Sequence, residues 1–197
     1  MTTIPTNTLI LAVVLIILAV AAIAWLVIQK QRSANLKRRF GPEYDRAVKE
    51  HGGRAKAEAE LSRREQRVAR LHIIPITAAD AARFSNAWSS LQGRFVDNPK
   101  GVVAEADLLV RELMVKRGYP MGDFELRAAD ISVDHPSVVK NYRAAQSIAV
   151  RDARGEADTE ELRTAVVHYR TLFDELLGVV PTKIAAVPVV RGVPVRS

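Results

Sequence analysis

The chain has no cysteine, which excludes disulfides, thiolate nucleophiles and zinc–thiolate sites. It also lacks the short patterns of common catalysts. There is no Gly-x-Gly-x-x-Gly, no P-loop, no His-Glu-x-x-His and no Gly-x-Ser-x-Gly. No Asn-x-Ser/Thr acceptor and no calcium loop occur either, so the sequence implies no cofactor. Before the last twenty residues no stretch alternates apolar and polar residues as a half-buried strand does. The expected fold class is therefore all-α.

What the chain does have is one long apolar run. Leu9 to Ile28, LILAVVLIILAVAAIAWLVI, contains no charged or strongly polar residue. About 20 helical residues at ~1.5 Å each match the roughly 30 Å hydrocarbon core of a bilayer. A lone span there must satisfy its backbone amides internally, hence as a helix. Residues 9–28 are read as a transmembrane helix in contact with the lipid bilayer, behind a short amino terminus at 1–8. The alternative is a signal sequence cut near Ala22-Ile23-Ala24, which would export the body. The uncharged amino terminus and the apolar run continuing through Trp25 to Ile28 argue against it.

The net charge of +7 is unevenly distributed. Residues 29–72 carry 13 Lys+Arg against 6 Asp+Glu, whereas residues 73–177 carry 13 against 16. The basicity belongs to the juxtamembrane segment, which argues against nucleic acid as a partner. Lys30, Arg32, Lys37, Arg38 and Arg39 follow the span with no intervening acid. The positive-inside rule then predicts a cell-membrane protein with its amino terminus outside and its body in the cytoplasm. The same five cations are candidate contacts for anionic lipid headgroups at the membrane surface.

Past the span, Gly41-Pro42-Glu43 reads as a break followed by a helix start, and Gly52-Gly53 as its stop. A helix from about Arg54 to His72 has only Ala57, Leu61, Val68 and Leu71 as an apolar stripe. The expectation for 29–72 is a basic segment and a charged helical stalk, solvated or weakly coiled. Residues 73–177 predict a small helical bundle. Thr77 caps a helix bearing Phe84, Trp88, Leu91 and Phe95. Asn98-Pro99 opens another, with Val103, Leu109 and Leu113, that ends at Gly118. A short helix covers 123–130, and another runs from Pro136 to Ala153 with Tyr142 inside. Asp158-Thr159-Glu160-Glu161 forms a capping box for a last helix carrying Val166, Tyr169 and Phe173 and ending at Gly178. The tail, 178–197, holds Pro181, Pro188 and Pro194 among valines and is expected to be disordered.

Two polar clusters could carry chemistry. Asp130, Asp134 and His135 place two carboxylates and an imidazole near a helix start, a set able to bind a divalent metal or share acid–base catalysis. The plainer reading makes Asp134 the cap of the helix starting near Pro136. The second cluster, His168-Tyr169-Arg170, would face Tyr142-Arg143 across a helical hairpin turning near Glu156. That hairpin sets Tyr142 level with Tyr169 as an aromatic pair and leaves His135 and His168 offset by roughly 13 Å, too far to share a metal. Arg170 would pair with Asp174 one turn on.

Arg39-Phe40-Gly41-Pro42-Glu43-Tyr44-Asp45, Phe95-Val96-Asp97, Arg117-Gly118-Tyr119-Pro120, Val133-Asp134-His135-Pro136 and His168-Tyr169-Arg170 together resemble an uncharacterised family of bacterial single-span membrane-anchored helical proteins. The resemblance covers about Arg39 to Leu177. It implies a bacterial, membrane-anchored helical protein and carries over no activity, cofactor or catalytic residue. The missing catalytic signatures, the capping reading of the polar clusters and the bundle pattern lead to the expectation of a non-enzymatic interaction or scaffold protein with an unknown protein partner. The alternative is a membrane-tethered hydrolase or metal-dependent enzyme using Asp130, Asp134 and His135.

Overall fold

In a computed structural model of the protein, residues 6–178 are described, with side chains from residue 15 onward. The expectations for residues 1–5 and for the proline–valine tail beyond Gly178 lie outside the described residues. The described residues form eight helices and no strand: α1 (Thr6–Phe40), α2 (Pro42–Glu50), α3 (Arg54–Val68), α4 (Ala78–Gly93), α5 (Pro99–Arg117), α6 (Phe124–Asp134), α7 (Val139–Asp152) and α8 (Thr159–Leu177). They gather into two units. Of the described residues, one unit comprises 6–72 and 119–140; the other comprises 73–118 and 141–178.

The first unit is built on α1, a single helix of 35 residues, about 52 Å long. Its apolar side chains from Leu15 to Ile28 are exposed; Trp25 is 62% exposed and Ile28 63%. The core helix of a soluble domain would be buried there. The far end of the same helix behaves oppositely, with Leu36 and Phe40 buried in a core completed by Tyr44, Ala47, Ala57, Leu61, Val68 and Val133. Gly41 (φ 49°) turns the chain between α1 and α2 in a left-handed conformation that a side chain would strain, and Pro42 follows at the first turn of α2.

The helix expected to be a solvated stalk is instead packed. The thin stripe of α3, Ala57, Leu61 and Val68, is buried, and Leu71 packs beside it. Its charged residues are drawn in as well. Arg64, 5% exposed, reaches Glu43 at 3.3 Å and Glu60 at 3.2 Å, while Arg46 meets Glu43 at 3.3 Å. A buried guanidinium between two carboxylates is neutralised within the unit, so α3 can be mostly charged and still sit in a core. What sequence periodicity missed is the partner: α6 arrives from 63 residues along the chain, where Arg67 Nη2 meets Asp130 at 2.6 Å.

The second unit is a bundle in which α5 and α8 pack most extensively. Thr77 caps α4 by accepting from the Asp80 amide, Asn98 caps α5 from Gly101, and Gly118 (φ 93°) closes α5. Asp158 and Glu161 form the expected capping box of α8. Phe84 and Trp88 meet Phe173 with ring centroids 6.4 and 4.6 Å apart, and Tyr142 meets Tyr169 at 6.3 Å, edge to face. Arg170 donates to Asp174 at 2.7 Å as its spacing predicted. Two residues of the apolar stripes read from the sequence are only half-buried. Phe95 falls beyond the end of α4, where the Arg163 guanidinium lies 5.7 Å from its ring, and Leu109 sits at the rim of the α4–α5 seam.

Candidate membrane-proximal site

In the first unit, α3 runs beside the basic end of α1 in the same sense. Ser33 pairs with Glu58 and Arg39 with Glu65, so both contacts advance together along the two helices. Arg54 therefore stands at the end of α3 nearer the apolar segment. A groove opens on each side of this contact, and the five sequence-predicted cations divide between them. Arg32, Arg38 and Arg39 line one groove. Lys30 and Lys37 line the other, joined by Arg54.

The two grooves differ in how far their charges are already engaged. In the first, Arg32 donates to Ser62 at 3.1 Å, Arg38 to Asn35 at 3.3 Å, and Arg39 pairs with Glu65 at 3.1 Å. In the second, Lys30, Lys37 and Arg54 are exposed, and none makes an ion pair among the described residues. The one acid there, Glu58, accepts from Ser33 at 2.6 Å and from the Tyr44 hydroxyl at 2.7 Å. Burial pushes the Tyr44 phenol up from its ordinary 10.0; the Ser33 hydrogen bond opposes this and Glu58 adds to it. The phenol thus stays a donor, and Glu58 is held against the groove wall. Arg54 was invisible to sequence reasoning because it is 24 positions beyond Lys30 and on another helix; no linear charge count joins them.

The sequence-predicted metal or acid–base set does not form a cluster. Helix α6 runs a full turn past Asp130 to Asp134, so Asp134 ends α6 and does not cap the next helix. Its exposed carboxylate accepts from the Tyr119 hydroxyl at 2.9 Å. Asp130, 1% exposed, is held by Arg67. The His135 amide donates to the Ile131 carbonyl at 2.8 Å and closes the helix. No group of three or more His, Asp or Glu side chains able to hold a metal occurs among the described residues. His168 lies half-buried on α8 in the second unit.

Together these features define an all-helical protein whose amino-terminal helix is long and apolar enough to span a membrane, a property a signal sequence shares. Comparison with protein-family models, curated proteins and solved structures finds no match to this chain.

Proposed function

We propose that the chain is a single-pass membrane protein whose helical body is held at the cytoplasmic face, where it serves as a non-enzymatic interaction or scaffold protein. The observation that carries this reading is the dual character of α1. Its apolar side chains from Leu15 to Ile28 are exposed, and its basic half is built into the core of the first unit through Leu36 and Phe40. Exposed apolar surface on that scale calls for a lipid or protein environment. A helix seated in the body at one end holds that body directly against the bilayer. The cations clustered at the body-side end of the span favour a cytoplasmic location.

The scaffold reading is supported by how the polar clusters are used. Asp130, Glu43 and Arg64 serve contacts between helices, and Asp134 ties the end of α6 to Tyr119 in the connection before it. The test is fractionation followed by proximity labelling. The full chain should resist alkaline extraction from membranes, and a biotin ligase fused to its carboxyl end should label a reproducible set of cytoplasmic proteins. Recovery in the soluble fraction, or labelling confined to exported proteins, would overturn the proposal.

A further inference from the structure

We propose that the groove between α1 and the start of α3 is a binding site for the headgroup of an anionic phospholipid, with Lys30, Lys37 and Arg54 as its cations. This rests on the reading of α1 as a membrane span and goes further, because it selects one of two basic grooves and adds a residue from a second helix.

Three observations carry it. The first is position. Leu26, inside the apolar segment, lines one end of the groove and Lys37, nine positions past Ile28, the other, so the groove starts just inside the hydrocarbon boundary and extends about 14 Å below it. The headgroup layer occupies roughly the first 5–7 Å of that distance. Helical side chains lean toward the helix amino terminus, which here is toward the bilayer, and lysine stems reach further while keeping their charge in the polar layer.

The second is charge. Three cations face one acid, and the acid already accepts two hydrogen bonds from Ser33 and Tyr44. The groove is left cationic, with donors unsatisfied by the protein. The opposite groove, equally basic in sequence, has its arginines engaged by Ser62, Asn35 and Glu65. The third is size. At about 640 Å³ the groove falls within the ~300–1,000 Å³ of ordinary small-molecule sites. A phosphodiester entering from the bilayer would meet Lys30 and Arg54 first, its acyl chains remaining beside Leu26.

Trp25, one residue before Leu26 and 62% exposed, provides the readout. The other tryptophan, Trp88, is fully buried and shielded from lipid. The full chain is reconstituted into phosphatidylcholine vesicles containing a minor fraction of brominated phosphatidylglycerol or, in parallel, brominated phosphatidylcholine. Trp25 quenching should show an about tenfold preference for the glycerol lipid, the order that a net two charges close to an anionic lipid supply after partial screening. The Lys30→Gln/Lys37→Gln/Arg54→Gln variant should lose the preference, while Arg38→Gln/Arg39→Gln keeps it. Unchanged Trp88 emission reports intact folding in both. Equal quenching by the two lipids in the wild type, or a preference that survives the triple substitution, overturns the site and leaves the span intact. No quenching by either lipid overturns the span as well.

Discussion

Arg67 and Asp130 lie 63 positions apart, and their side chains meet at 2.6 Å. The pair ties α3 to α6 and brings a segment from the middle of the chain into the unit that contains α1. It is also asymmetric, because the Asp130 carboxylate is 1% exposed while Arg67 is 35% exposed.

That asymmetry predicts unequal mutants. Arg67→Ala strands a buried carboxylate and should destabilise the first unit by about 3 kcal/mol, the lower part of the range for breaking a buried pair. Asp130→Asn leaves an arginine that can swing into water and should cost about 2 kcal/mol, the loss of one charge-assisted hydrogen bond. Thermal unfolding followed by far-ultraviolet circular dichroism would compare them. An Asp130→Asn loss equal to or larger than the Arg67→Ala loss contradicts the assignment.

Acid should weaken the second unit through Glu161. Its hydrogen bond from Arg151, with a further contribution from the Asp158 amide, holds its carboxyl below the ordinary 4.5. A carboxylate depressed in the folded state contributes stability above its unfolded value and loses that contribution as pH falls through its folded value. The wild type should therefore lose stability below about pH 4.5. Glu161→Gln should be less stable at neutral pH and lose less on acidification. Melting curves from neutral pH to pH ~3 test this, since parallel pH profiles would remove the Arg151–Glu161 contact from the account.

Tyr169 sits fully buried against Tyr142, and burial raises its phenol well above the ordinary 10.0. It should not ionise before the second unit unfolds in alkali. Replacing its ring with Ala should cost about 3–5 kcal/mol, whereas Tyr169→Phe should cost about 1 kcal/mol for the hydroxyl alone. Ultraviolet titration of the native chain against its Tyr169→Phe variant would check the first point, because a native-state titration step lost in the variant would show Tyr169 to be accessible.

The second unit was largely legible in the sequence, since its helices announce themselves locally. Thr77, Asn98, Gly118, the Asp158–Glu161 box and the Arg170–Asp174 step all act within four residues, and each forms as its spacing suggests. The first unit was not. The α3 stripe of Ala57, Leu61 and Val68 is too thin to signal burial by itself, and its charged faces suit a stalk. The arrival of Glu43 opposite Arg64 and of Asp130 opposite Arg67 offsets the cost of burying those charges, and neither pairing leaves a local trace. The candidate membrane-proximal site divides the same way. The cations of α1 form one visible run, whereas their sorting into engaged and free groups depends on Ser62, Glu65 and Arg54 on α3.

The absence of cysteine offers a direct test of the central claim, that α1 crosses the membrane with the body inside. Single Thr2→Cys and Asn86→Cys variants of the full chain, expressed in intact cells, are treated with a membrane-impermeant maleimide before and after lysis. The account predicts that the cysteine at position 2 is labelled in intact cells and that the exposed one at position 86 is labelled only after lysis. Labelling of position 86 in intact cells would contradict it.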